Sequence, residues 1–403
     1  MLEVGFRLND CHVDRCSKLL GVVNSGRCTG CGCCFVSCAA GAITMVENAI
    51  GEMIPKVDAA RCTGCSRCER LCPQVNLCAL QTVRSCFAAW TADSVVSEGS
   101  SSGGIGHILA TSELDSGGVV CGCIMGGDAT PRHIVTESKV DLALMKGSKY
   151  VQSDAFDAYR DVKRLLEEGR EVLFVGTPCQ IAGLRRYIGG DDLGLFTVDL
   201  ICHGVPPARY FREHLLKKTK SSSFASISFR TKDKFVLSAE SVSGVAYEKG
   251  LAKDSYLSAF MCGDIYRESC YACRYASAKR VGDLTIGDFW GLDRSTLINE
   301  PPQAVSVVLE NTDKGALLLE RISDGVVMEQ RDYTEAVKGN AQLGSPASGT
   351  KHRSAFMRAI SDCAFDNAIR KCGLARYFFF KRLRSSHIMA PLRAVKHIVA
   401  GRR

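Results

Sequence analysis

Eight of the chain's 22 cysteines fall into two runs of one spacing: Cys28-x2-Cys31-x2-Cys34-x3-Cys38, and Cys62-x2-Cys65-x2-Cys68-x3-Cys72 followed by Pro73. Three thiolates on one tight loop can hold three corners of a four-iron cubane. The small residues between them (Thr29, Gly30, Gly32, Thr63, Gly64) let backbone amides face the sulfides. In paired runs of this kind the fourth cysteine of each serves the other cluster. The spacing therefore predicts one cluster on Cys28, Cys31, Cys34 and Cys72 and another on Cys62, Cys65, Cys68 and Cys38. Zinc is the alternative for close cysteine pairs, but a zinc ribbon has no need of two four-cysteine runs. Ala39 stands where proline usually follows, and Cys33 adds a thiol inside the first loop, where it is expected to point away from the cluster. Pro55 and the alternating stretch VENAIGEMIPKVD suit a hairpin between the runs.

Several phrases then occur in order: SSGGI at 101–105, GSKYVQS at 147–153, GTPCQIAGL at 176–184, DLICHGVP at 199–206, SCYACRYA at 269–276 and DLTIGDFWG at 283–291. Together they resemble the coenzyme F420 hydrogenase/dehydrogenase beta-subunit family, from about Arg27 to Asp293, including the fused ferredoxin module. The resemblance implies a flavin-dependent oxidoreductase carrying FAD and one more cubane. SSGGI places small residues at a helix start, where free amides and the positive helix end can meet a phosphate; a plain glycine turn is the structural alternative. The candidate cofactor-binding residues are Ser101, Ser102, Gly103, Gly104, Lys149, Tyr150, Gln152, Thr177, Gln180 and Asp288. Cys179 follows Pro178 at a strand-to-helix junction, where the helix end is expected to lower its pKa and favour a thiolate, as nucleophile or ligand. Cys179, Cys202, Cys270 and Cys273 make a four-ligand set for the third cluster, with Cys262 as the alternative to Cys202. His203 and Lys149 are the candidate catalytic residues. A satisfied structural histidine and a solvated lysine are the plain alternatives. Trp290 either borders the cofactor or closes the core. Cys86, Cys121, Cys123, Cys363 and Cys372 are expected to be buried thiols.

The elements that must position these groups follow a βα rhythm from Ser85 onward. SCFAAW, GGVVCGCIM, EVLFVG, LGLFTVDL, DLTIGDFW and VSVVLE read as strands. IGHILATSEL, DAFDAYRDVKRLLEEG stopped at Gly169, and the segments opening at Pro178 and after Pro207 read as helices. FASISFR and KFVLSAES read as paired strands. The expected fold is an α+β ferredoxin-like two-cluster module, then a larger α/β flavin-binding domain, then a helical basic tail. The divisions are 1–26 as a leader with Cys11 and Cys16 as ordinary thiols, 27–80, 81–349 and 350–403.

At 403 residues the chain is long enough for two or three domains. The formal charge of +8 counts each cysteine as neutral. An oxidised cubane with four thiolates adds about −2, so three clusters bring the chain to about +2. The remaining excess is local, since Arg370 to Arg403 holds ten Lys or Arg and no acid; the body is not a nucleic-acid binder by charge. With no basic start leading into an apolar run and no long apolar stretch, a cytoplasmic, non-spanning protein is expected, its thiols kept reduced for cluster assembly. The tail mixes its basic residues with Phe378, Phe379, Phe380, Leu383 and Ile388, and is expected to contact either the inner membrane face or an acidic protein. The functional expectation is hydride exchange between FAD and a deazaflavin, nicotinamide or other carrier, with electrons relayed to a redox partner protein. Its rivals are an electron-wiring subunit without a small-molecule substrate and a component of a surface-polysaccharide modification system.

Overall fold

The computed structural model describes residues 16–378, apart from positions 191–192, 232–233, 245, 303 and 376–377. Four strands rich in apolar residues pair in parallel, each with the next: Val119–Met125, Val172–Gly176, Leu195–Leu200 and Leu284–Asp288. Antiparallel strands extend this sheet, Pro131–Thr136 at one edge and Ser306–Glu310, Ser85–Thr91 and Val326–Gln330 at the other. A parallel sheet must be covered on both faces. Helices Phe156–Glu167 and Pro178–Ile188 cover one with Val162, Ile181 and Leu184. Helices Ile105–Asp115 and Asp313–Arg321 cover the other with Leu109, Leu318 and Leu319. Phe156–Glu167 forms because Tyr159, Val162 and Leu166 recur on one face, and it stops near Gly169, whose φ of 76° ends the helix without strain. This is a mixed α/β protein with a ferredoxin-like region ahead of a larger α/β domain.

Beside the sheet lies a second apolar core. The antiparallel strands Phe224–Thr231, Lys234–Ser241 and Ala246–Gly250 pack there with helices Ala208–Thr219, Ser255–Cys262, Arg353–Ile360 and Phe365–Lys371. This changes the reading of the tail. Phe356, Phe365, Ile369, Leu374 and Phe378 are all buried in that core, so the chain up to Phe378 is structural. Residues 379–403, which carry most of the expected interfacial segment, lie outside the described residues. A buried charge network ties the same elements together: His214 Nε2 lies 2.9 Å from Asp254 and Nδ1 3.2 Å from Asp366. Burial alone would lower the His214 pKa, but the two carboxylates reverse this and raise it.

The N-terminal region places helices Cys33–Val36 and Arg67–Leu71 around a hairpin in which Ile43–Glu47 pairs with Met53–Val57. The 1–26 leader is corrected in its described part. Helix Ser17–Asn24 packs Leu19 and Val22 into the cluster module, and Cys16 is buried against Cys62 and Cys68; Cys11 lies outside the described residues. A buried guanidinium helps to seat this module on the α/β body, together with Tyr210 Oη donating to the Ile50 carbonyl at 2.7 Å and Arg212 paired with Glu47. Arg267, 1% exposed, donates to the carbonyls of Cys28 (3.0 Å) and Met53 (3.1 Å) and to Gln152 Oε1 (2.7 Å). Gln152 in turn donates to the Thr29 carbonyl at 3.1 Å.

Two outcomes are expected. His214→Ala strands two buried carboxylates and should cost about 3–5 kcal/mol, read as an earlier urea transition. Because the His214 pKa is raised in the folded state, its contribution is complete below the unfolded value of about 6.5 and is lost as pH rises through the folded value, so the gap between wild type and variant should narrow upward from neutrality. Arg267→Met leaves buried carbonyls without donors, at about 1–3 kcal/mol each. The visible absorbance of the clusters should then be lost at lower urea than the far-UV signal of the body, and coincident transitions would contradict the seating role.

Candidate redox site

In open α/β sheets the carboxyl ends of parallel strands form the natural crevice. Here those ends lead into Gly176–Cys179, Ile201–Gly204 and Asp288–Trp290, and they line a cleft of about 390 Å³. At one end stand Ser101, Ser102, Gly104, Lys149, Tyr150, Asp288 and Trp290. At the other stand Thr177, Cys179, Gln180, Cys202, His203 and Gln152, and the cleft reaches Thr29 and Cys31 of the ferredoxin module.

Of the candidate cofactor residues, only Gly103 does not line the cleft. A Cβ there would meet the Ala89 carbonyl at 2.3 Å, and its amide donates to Ser306 Oγ at 2.9 Å, so it seals the loop onto neighbouring strands. Gly104 has a φ of 84°, and a Cβ would lie 2.9 Å from Thr91; a side chain is strained there whatever binds. Ser101 Oγ accepts from the Ser148 amide at 2.7 Å. Gln180 Oε1 accepts from the Thr177 amide at 3.0 Å while its Nε2 donates to Ser153 Oγ at 2.9 Å, which fixes the strand-to-helix turn.

Lys149 lines the cleft, but its ammonium donates to the carbonyls of Leu144, Met145 and Lys146 at 2.8–3.0 Å, and burial pulls its pKa down to about 8. The geometry gives it a structural task at the end of helix Lys139–Met145. His203 is different: burial lowers its pKa, leaving a neutral imidazole on the cleft wall beside Cys202. Trp290 is 39% exposed and stacks on Phe235, so it borders the cleft and does not close a core.

Arg230 was not marked by any motif. Its guanidinium pairs with both Asp288 oxygens (3.1 and 2.6 Å), donates to Tyr150 Oη at 2.7 Å and to the Ser101 carbonyl at 2.6 Å, and lies over Phe235. Its only signal in the sequence was an arginine ending an alternating strand. His107 and His133 were also missed. Both line the cleft, and each has a buried Nδ1 without a hydrogen-bond partner. His133 Nε2 lies 3.0 Å from the Val175 carbonyl, and burial lowers its pKa to about 4. With Nε2–H facing that carbonyl, Nδ1 is left as an acceptor. Two orphaned buried nitrogens on an apolar wall fit a ligand that brings its own polar groups. Cys123 also lines the cleft, unlike the buried thiol expected there; Cys86, Cys121 and Cys372 are buried.

Four thiols gather at the inner end. Burial raises the Cys202 thiol, with Cys270, Cys179 and Cys273 adding to the effect. Cys262 instead ends helix Ser255–Cys262 and packs against the second core. The helix start does not lower Cys179: burial pushes it up to about 11, and Cys270 up to about 12. A free thiolate nucleophile is disfavoured in that surrounding, whereas a bound metal would deprotonate it. Among the described residues no three metal-binding side chains converge on a single ion. Four neighbouring thiols are soft donors of the kind that a polynuclear centre takes.

In the ferredoxin module the cysteines that line a small cavity are Cys28, Cys31, Cys33, Cys34 and Cys72, which brings the fourth cysteine of the second run to the first three of the first. Cys38, Cys62 and Cys68 pack in one group of side chains that also holds Cys16, Cys34 and Cys72, with Cys65 exposed nearby in sequence. The Ala42 amide donates to Cys38 Sγ at 3.3 Å. Cys33 is buried and directs its thiol to the Leu71 carbonyl at 3.3 Å. Helix Pro178–Ile188 runs past Cys31: a Cβ on Gly183 would lie 3.1 Å from it. Cys179 is one turn earlier, roughly 6 Å along the axis.

The family model for the C terminus of the coenzyme F420 hydrogenase/dehydrogenase beta subunit matches residues 169–336, and that for a 4Fe-4S dicluster domain matches residues 27–76. A coenzyme F420-dependent sulfite reductase from Methanocaldococcus jannaschii is 32% identical over 176 residues, covering 42% of this chain; the match spans 26% of that relative's length. A chain of the F420-reducing [NiFe] hydrogenase complex from Methanosarcina barkeri superposes with a TM-score of 0.44 at 17% identity, over 67% of this chain and 97% of that one. The chain thus joins a 4Fe-4S dicluster domain to a segment that matches the C terminus of the coenzyme F420 hydrogenase/dehydrogenase beta subunit.

Proposed function

We propose that the chain is a flavin-dependent iron–sulfur oxidoreductase that exchanges hydride with a small two-electron carrier and relays single electrons to a partner protein. One observation carries this reading: a single cleft runs from the SSGGI loop and the Arg230–Asp288 pair to Cys179, Cys202 and Cys31. FAD, when bound, would supply the conversion between hydride and single electrons. The first turn of helix Ile105–Asp115 and the Thr177 turn offer helix N-termini for its phosphates. Arg230 holds Tyr150, Ser101 and Asp288 in one arrangement and keeps cationic character at that end. His133 Nδ1 offers an acceptor, and neutral His203 can hold a proton at the cleft wall.

Cys179, Cys202, Cys270 and Cys273 would hold a third [4Fe–4S] cluster. The cluster on Cys28, Cys31, Cys34 and Cys72 is its neighbour across helix Pro178–Ile188. The second ferredoxin cluster, with exposed Cys65, is the exit to the partner. A relative named for dependence on coenzyme F420 makes a deazaflavin the first carrier to test, ahead of NADH and NADPH. No disulfide joins any two of the described cysteines, which suits the reducing cytoplasm.

Protein prepared anaerobically should contain about twelve iron atoms per chain and FAD. Cys270→Ser with Cys273→Ser should remove about four of those irons, leave the ferredoxin signals and abolish reduction of the clusters by the carrier. Full iron retention would overturn the ligand set. Arg230→Gln should lower bound FAD and leave the ferredoxin iron unchanged. If the purified protein holds no flavin and no carrier reduces it, the chain wires electrons between proteins only.

A further inference from the structure

Cys16 belongs to neither motif, yet it is placed with care. It is 5% exposed, and its Sγ lies 3.9 Å from Cys62 Sγ and 3.8 Å from Cys68 Sγ. Cys65, the middle cysteine of that loop, is exposed. The position is held from two sides. Glu69, next to Cys68, accepts from the amides of Lys18 (2.7 Å) and Leu19 (3.2 Å) and so clamps the start of helix Ser17–Asn24 onto the second cysteine loop. Leu19 and Val22 anchor the same helix in the wall of the first-cluster cavity. The thiol therefore has a fixed address against two sulfurs of one cluster.

We propose that Cys16 is a reserve ligand of the second ferredoxin cluster, able to take over the iron of Cys62 or Cys68. Two ligands on different irons of a cubane do not need a third thiol beside both, and a thiol within 4 Å of two ligand sulfurs lies close enough to replace either at its iron. In the exchange, the Cys16 thiol gives its proton to solvent as its Sγ–Fe bond forms. The Cys62 Sγ–Fe bond breaks, and that thiolate takes up a proton. No electron moves. The device suits a cluster near the surface, where solvent and oxidants can strip iron. The inference rests on the assignment of Cys62, Cys65 and Cys68 as ligands.

The test uses the full-length, cluster-loaded chain, with iron and sulfide counts and the EPR spectrum of the reduced protein. Cys62→Ala should keep the second four-iron signal, and the double variant C16A/C62A should lose it, falling by up to about four irons per chain. Cys65→Ala should lose that signal whether or not Cys16 is present. If C62A loses the signal as fully as the double variant, the reserve role is wrong. If C65A keeps all its iron without Cys16, the ligand assignment itself is wrong. Should C62A fail to accumulate, C16A alone decides the question. With every motif cysteine intact, it should lose second-cluster iron severalfold faster than wild type under ferricyanide and EDTA, and equal rates would overturn the proposal.

Discussion

Everything in this protein depends on keeping a small cysteine-rich module in fixed contact with the wall of a parallel sheet, and buried Arg267 is central among the residues that do so, beside Tyr210, whose hydroxyl donates to the Ile50 carbonyl at 2.7 Å, and Arg212, which pairs with Glu47. The Arg267 guanidinium is almost wholly withdrawn from water and reaches into the module to the carbonyls of Cys28 and Met53 while gripping Gln152 of the body. Desolvating a cation is costly, and several hydrogen bonds are needed to offset it. An arginine serves better than a lysine because its planar fork reaches several acceptors at once. With that seat in place, Cys31 lines the same cleft as Cys179 and Cys202.

The cleft itself follows from strand direction. Four parallel strands bring their carboxyl ends to one edge, so residues far apart in the chain meet there: Cys179 after one strand, Cys202 after the next, Asp288 at the end of a third. Buried ion pairs lock that register. Asp283 accepts from the Thr197 amide and from Arg185, and Asp199 accepts from the amides of Val281 and Gly282 and from Arg280. Charges so placed do little for net stability, but they penalise any slip of one strand past the next.

Outside the sheet, the second core explains why the chain continues past the last strand. Helices Arg353–Ile360 and Phe365–Lys371 pack into the same core as the Phe224–Gly250 sheet, and His214 is shared between Asp254 and Asp366. The strand bearing Arg230 belongs to that unit, so the second core holds one jaw of the cleft.

Much of the outline was legible in the residues. The cysteine spacing is local geometry; the meeting of Cys72 with Cys28, Cys31 and Cys34 around one cavity, with Cys33 also in its wall, joins two runs and is a property of the fold. The hairpin, the parallel strands and the helix starts at Pro178 and Ala208 follow from periodicity and proline placement, because those signals act over a few residues. Roles that depend on long-range neighbours did not show. Lys149 and Gln152 both line the cleft, but no motif shows that the Lys149 ammonium rests on three carbonyls or that Gln152 bridges two modules. Cys179 looked activated by its helix, and burial reversed the shift. Arg230 and Cys16 carried no motif at all. Their positions are set by a bidentate carboxylate partner 58 residues away and by sulfurs 46 and 52 residues away. Spacing fixes which residues can hold a cluster, because a loop of a few residues decides it. Burial and partnership are properties of the packed chain, and only the tertiary structure could decide them.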